Sequence, residues 1–259
     1  MTCRRAWEWW KNWRVRIWAW SSPTKYSCSS PSAGSDPGVT LIVTLLGGES
    51  TGKSSLARSL RQHLVQHTPL QTVCVPENLR AWCTLAGRAP QAHEQANLAA
   101  EQHRLIMAAS QSGPAPDVVI ADTTPLVIAA YSELYFNDSS LLPGAIAHQR
   151  GYHLTLLMGL DLPWVPDGLF RESPTVRDAI DTVLRRELQA AGLPFQTIYG
   201  LGEARLRQAL AAMGPLLGRL LVDTDPTLAQ GRVAWNCEKC SDPECEHRLF
   251  TDLLKTPRT

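Results

Sequence analysis

The chain has 259 residues, 44% of them apolar and 19% charged, with a formal net charge of +1. These figures fit one large α/β domain or two small ones and exclude a disordered or collagen-like polymer. So near-neutral a chain is also no polycation built for nucleic-acid backbones.

The total hides an offset, because residues 1–38 carry six Lys/Arg against two acids (+4) and the remainder carries 19 against 22 (−3). Six of the nine tryptophans lie in the first twenty residues. Glu8, Lys11, Asn12, Arg14 and Arg16 interrupt every apolar run there, so the segment does not read as a secretory signal. A disordered extension, a stretch added by an early start codon and an interfacial amphipathic helix touching a membrane are the readings open for it. Residues 21–38 are rich in Ser, Pro and Gly. The expected organisation is a leader over 1–38, one domain over 39–222 and a tail over 223–259. No later apolar stretch approaches the roughly 20 residues that span a bilayer, so a cytoplasmic body without membrane or nucleic-acid partners is expected.

From Val39 short apolar runs alternate with helical periodicity, the pattern of βα units and a parallel sheet. Strands are expected at Val39–Leu46, Gln71–Val75, Asp117–Ala121, His153–Leu160 and Phe195–Tyr199. Helices are expected over Lys53–Gln66, Gln91–Gln111, Pro125–Phe136, Thr175–Ala191 and Glu203–Leu221. Together they predict a three-layer α/β P-loop fold with a five-stranded parallel sheet, followed by a small Cys-rich tail.

The first strand runs directly into Gly47, Gly48, Glu49, Ser50, Thr51, Gly52, Lys53 and Ser54, which fit GxxxxGK[ST], with Ser55 next. In that context the loop's N–H groups and the helix N-terminus cradle ATP phosphates, Lys53 reaches the β/γ oxygens and the Ser54 hydroxyl takes Mg²⁺. Asp122, at the end of the third strand, is the expected metal-side acid, and Thr123 and Thr124 are placed to cap the next helix or meet the metal's waters. No NKxD-type motif reads a guanine base, so a kinase or ATPase is favoured over a GTPase.

A kinase also needs a group for its acceptor hydroxyl and cations over the transferred phosphoryl. Glu77 and Arg80, just past the second strand, are candidates for the acceptor side, or an ordinary i,i+3 surface pair. Residues 161–171, DLPWVPDGLFR, read as a closing lid that brings Arg171 to the phosphates, with Arg177 as its substitute.

GGESTGKSSL, the PEN.R segment, IADTT, LPWVPDGLFR and FQTIYG, in that order, resemble the NadR-type ribosylnicotinamide kinase domain of the AAA-like P-loop group. The resemblance covers about residues 40–215. It implies ATP-dependent phosphorylation of the 5′-hydroxyl of nicotinamide riboside, giving nicotinamide mononucleotide. By motif position it implies ATP and Mg²⁺ roles for Lys53, Ser54 and Asp122, and substrate-side roles for Glu77, Gln102 of the long helix and Trp164 of the lid. The family's helix-turn-helix and HxGH motifs are absent from this sequence, and Phe170 places Arg171 one residue later than the family spacing.

Cys237, Cys240, Cys245 and His247 form CxxC, four residues, CxH, a compact set suited to one structural Zn²⁺; reduced surface cysteines, a redox pair or an iron–sulfur site with His247 are the alternatives. The sequence thus points to an ATP- and Mg²⁺-dependent kinase of a nucleoside-like small molecule. The competing reading is a nucleotide-dependent regulatory ATPase whose zinc tail docks a partner.

Overall fold

The computed structural model describes residues 40–166 and 173–222. The Trp-rich leader, Arg171 and the four proposed zinc ligands Cys237, Cys240, Cys245 and His247 lie outside the described residues. Strands β1 (Leu41–Leu46), β2 (Thr72–Val75), β3 (Val118–Asp122), β4 (Leu154–Met158) and β5 (Gln196–Ile198) form one sheet in the order β2-β3-β1-β4-β5. Every neighbouring pair is parallel, as the alternation of short apolar runs and helices predicts.

Both faces of β1 are covered, which is why six consecutive residues, LIVTLL, are buried. Leu41, Val43 and Leu45 pack against Leu56, Leu60 and Leu64 of α1 (Lys53–His67) and Leu206, Leu210 and Met213 of α7 (Glu203–Met213). On the other face Ile42 meets Ile106 of α3 (Ala92–Ser110). Leu46 there meets Leu126 of α4 (Pro125–Phe136) and Ile180 of α6 (Pro174–Ala190). A fully buried Leu such as Leu60 contributes about 2 kcal/mol of transfer free energy, so these periodic positions hold the helices on the sheet.

Two helices depart from the expected elements. The first, α2 (Asn78–Ala86), buries only Cys83 and so shows no apolar stripe; Gly87, in the left-handed region at φ 68°, ends it. The second, α5 (Leu142–Gln149), contains Pro143 and Gly144, which read as breakers. Its proline falls in the first turn, where a missing N–H costs nothing, and Leu142 and Ala145 pack against α4 and α6. Conversely, α7 ends at Met213 instead of Leu221, because Gly214-Pro215 interrupts it and a 3₁₀ turn follows over Pro215–Leu217. None of the described helices is long and apolar enough to cross a membrane.

With β1 central, β3 and β4 flank it, and the chain changes side between them. Ligands of open α/β sheets bind beyond the C-terminal strand ends at such a switch point. The loops after β1, β2 and β3 therefore carry the candidate site residues.

Candidate functional site

The turn between β1 and α1 spans residues 47–52. Gly52 adopts φ 81°, and a Cβ on it would lie 2.9 Å from Leu162 Cδ1. Gly48 is required for a different reason: a Cβ there would stand 3.0 Å from the Cα and carbonyl oxygen of Arg177. The loop is braced internally, with Thr51 Oγ1 donating to the Gly48 carbonyl at 2.8 Å. Lys53 Nζ donates to the carbonyls of Gly47 and Gly48, both at 2.8 Å, which holds a buried ammonium over the loop. No side chain caps α1 and no acid sits in its first turn, so the N–H groups there suit an anion. Ser55 lies on the outer side of this turn, within 3.5 Å of Arg58 Nη2.

Asp122 ends β3 beside β1, in register with Leu45. Ser54 hydrogen-bonds its carboxyl, yet Oδ1 is buried without a hydrogen-bond partner. Burial pushes the Asp122 carboxyl above the usual carboxylate range; Lys53 and Ser54 oppose that shift, and the charge of Glu77 adds to it. Lys53, Ser54, Asp122 and Glu77 therefore share one crevice. An orphaned carboxylate oxygen beside a hydroxyl is a donor set that fits a hard divalent cation. Thr123 Oγ1, next in sequence, is also buried and unpartnered. Thr123 adopts φ 86°, a conformation that costs a β-branched residue about 1–3 kcal/mol and must be held by its surroundings.

Glu77 stands just before α2 and lies 3.4 Å from Arg80 Nε, so the i,i+3 pair forms and both candidates sit at the crevice edge. Gln102, expected on the substrate side, is placed differently. It is 0% exposed and its amide is taken up by backbone at Asn78, Pro76 and Thr123, which leaves nothing for a substrate. Trp164 is tethered to the P-loop itself, its Nε1 donating to Glu49 Oε1 at 3.2 Å. The N–H of Ser173 also donates to Glu49 Oε1, at 3.2 Å, and the N–H of Val165 to Ser50 Oγ at 2.9 Å. Glu49 and Ser50 thus serve as anchors for the segment after β4.

Arg177, expected as the substitute for Arg171, and two residues that no motif marks, Arg205 and Tyr131, complete the surroundings of the loop. Arg205 of α7 donates to the Thr51 carbonyl in the P-loop, to the Gly200 carbonyl and to Asp161 Oδ1, each at 2.6 Å. Arg177, buried, donates from Nη1 to the Leu162 carbonyl at 2.7 Å while its backbone packs on Gly48. Tyr131 of α4 lies close enough to Glu77 and Glu49 that, after burial, their charges raise its phenol further, so it stays protonated. Arginine at the first turn of a helix after a Gly-rich strand end is the sole hint the sequence offers for Arg205. Among the described residues no group of three or more His, Cys, Asp or Glu could hold a metal by itself.

A family model described as an AAA domain matches residues 42–205. Among solved structures, a NadR protein in complex with NR matches with a TM-score of 0.56 and 20% identity, over 70% of this chain and 51% of its own. A NadR protein in complex with NAD and AMP-PNP matches with a TM-score of 0.56 and 19% identity, over 76% of this chain and 52% of its own. The chain thus spans about half the length of those NadR chains. No curated protein sequence matches. With a P-loop after β1, an acidic end to β3 and a parallel 2-3-1-4-5 sheet inside the matched stretch, the chain belongs to the AAA domain family and shares the fold of the NadR structures.

Proposed function

We propose that the protein is an ATP- and Mg²⁺-dependent kinase that phosphorylates a nucleoside-type small molecule, with nicotinamide riboside as the acceptor and nicotinamide mononucleotide as the product. The observation that carries this reading is the convergence of Lys53, Ser54 and Asp122 at the P-loop with Glu77 in the same crevice. A carboxylate at that place can take the proton of an acceptor hydroxyl or hold the hydroxyl in line with the γ-phosphate. The fold shared with a NadR protein in complex with NR supports the choice of acceptor.

In the reaction the acceptor hydroxyl oxygen attacks the γ-phosphorus, one P–O bond forms, the bond from that phosphorus to the β-bridging oxygen breaks, and ADP leaves. Glu77 takes the hydroxyl proton or orients the hydroxyl. Lys53, now bonded to loop carbonyls, turns its ammonium to the β/γ oxygens, and the N–H groups of the loop hold the remaining phosphate charge. Ser54 and Asp122 would hold Mg²⁺, which neutralises charge on those oxygens when bound. Arg171, outside the described residues, is the expected cation on the transferred group, and Arg177 beside Gly48 is its substitute. Arg80 positions Glu77 through their ion pair. The loops after β1 and β2 would hold the nucleotide and the acceptor in line, so binding energy is spent on alignment.

The test is incubation with ATP, Mg²⁺ and a panel of ribosides, with mass-spectrometric detection of phosphorylated products beside an ADP assay. Nicotinamide mononucleotide should appear in step with ADP, and Lys53→Ala should lower the rate by at least about 100-fold. ADP formed without any phosphorylated riboside would overturn the kinase reading.

A further inference from the structure

The ladder between β2 and β3 stops at the pair Val75↔Ala121, one residue short of Pro76 on one strand and of Asp122 on the other. Pro76 has no N–H with which to extend it. Past that point the sheet no longer fixes the Glu77 turn against the Asp122 turn, although the proposed chemistry needs both carboxylates in register.

One buried amide spans the gap. Gln102 Oε1 accepts the N–H of Asn78 at 2.8 Å, and Nε2 faces the Pro76 carbonyl at 3.3 Å and the Thr123 carbonyl at 3.4 Å. Pro76 and Asn78 bracket Glu77, and Thr123 follows Asp122 in the left-handed conformation already described. From the opposite side Thr124 Oγ1 donates to Gln149 Oε1 at 2.9 Å, and Gln149 Nε2 donates to Thr44 and Thr155 at 3.0 and 2.9 Å. Of the two turns Gln149 therefore grips only the one after β3, which it ties to β1 and β4, whereas Gln102 joins both.

We infer that Gln102 is a positioning residue, whose amide sets the Glu77 turn and the Asp122 turn at a fixed separation without itself meeting a ligand. The inference rests on the roles proposed above for Glu77 and Asp122. A space-filling core glutamine would affect folding alone; a positioning glutamine also changes metal binding and acceptor use in a folded protein.

The experiment compares full-length wild type with Gln102→Met and Gln149→Met. Methionine keeps the volume and removes the amide. ATP binding without metal, measured by calorimetry in EDTA, should stay within about twofold for both variants, because neither glutamine touches the P-loop. Mn²⁺ binding in the presence of ATP, followed by EPR, should weaken by about 10-fold in both, the usual cost of losing a group that orients a metal ligand. The acceptor KM should rise about 10-fold in Gln102→Met alone, because Gln149 has no contact with the β2 end. If Gln102→Met fails to melt cooperatively, Gln102→Asn replaces it: a shorter amide keeps part of the span and should give intermediate losses. Mn²⁺ affinity within twofold of wild type in a folded Gln102 variant overturns the inference, as does an equal rise in acceptor KM in the Gln149 variant. The Mn²⁺ arm needs no acceptor, so it decides the role of Gln102 even where wild type phosphorylates no riboside, a result that would overturn only the kinase reading.

Discussion

Replacing Arg205 by Ala would remove a tie between the P-loop and the segments that follow β4 and β5. Three hydrogen bonds of 2.6 Å disappear at once, leaving the carbonyls of Thr51 and Gly200 unpaired and Asp161 without its cation. Removing one partner of a buried ion pair costs about 3–5 kcal/mol. The side chain of Arg205 is 5% exposed but that of Asp161 is 31% exposed, so water relieves part of the stranded charge and the lower figure, about 3 kcal/mol, applies. The N–H of Gly200 still donates to Asp161 Oδ2, which limits the loss further. For a domain of this size such a change lowers Tm by about 6–12 °C.

The assay is thermal and urea unfolding of wild type, Arg205→Ala, Asp161→Ala and the double variant. If the pair acts as a unit, the double variant should be no more than about 1 kcal/mol less stable than Arg205→Ala, giving a coupling of about 2 kcal/mol. Arg205→Lys should fall between, since an ammonium cannot reproduce three fixed donors. The stabilisation conferred by ATP should also shrink in Arg205→Ala, because Thr51 shapes the loop. A fall in Tm below about 3 °C, or strict additivity in the cycle, would refute this account of the arginine.

Two predictions concern pH. Burial raises the Asp122 carboxyl, so its ionisation opposes folding: stability is full below the ordinary Asp range and is lost as pH rises through the elevated value. Asp122→Asn should therefore melt higher than wild type at pH 7.5, the gap closing toward pH 4, while turnover falls at least about 100-fold; a lower Tm for the variant at pH 7.5 contradicts the argument. His103 behaves in the opposite sense. It stacks on His148 with ring centroids 3.7 Å apart and has Nδ1 2.9 Å from the Tyr152 hydroxyl, and burial followed by the His148 charge lowers its pKa. Its contribution is full above the ordinary histidine value of about 6.5 and is lost as pH falls through the depressed one. From pH 8 to pH 5 the Tm of wild type should fall relative to that of His103→Gln, as differential scanning calorimetry would show.

The parallel sheet, the P-loop and Asp122 were legible because each rests on a local pattern. A doubly covered strand must be apolar almost throughout, a phosphate cradle needs glycines at set intervals, and a strand that ends in Asp advertises it. Helices α2 and α5 were not legible: the first buries one cysteine and the second carries a proline and a glycine, so neither shows the periodicity by which a helix is recognised. Gln102 illustrates the limit at the site. The family resemblance implied a substrate contact for it, but only the packing of α3 under the ends of β2 and β3 turns its amide toward backbone.

Sequence alone therefore determined the fold class, the phosphate loop and the acids beside it, because those depend on residues close together in the chain. Tertiary structure decided which side chains brace that loop: Arg205 reaches Thr51 across 154 positions, and Trp164 reaches Glu49 across 115. Such contacts leave no periodicity behind, since a hydrogen bond between distant segments constrains one residue at each end and nothing between them.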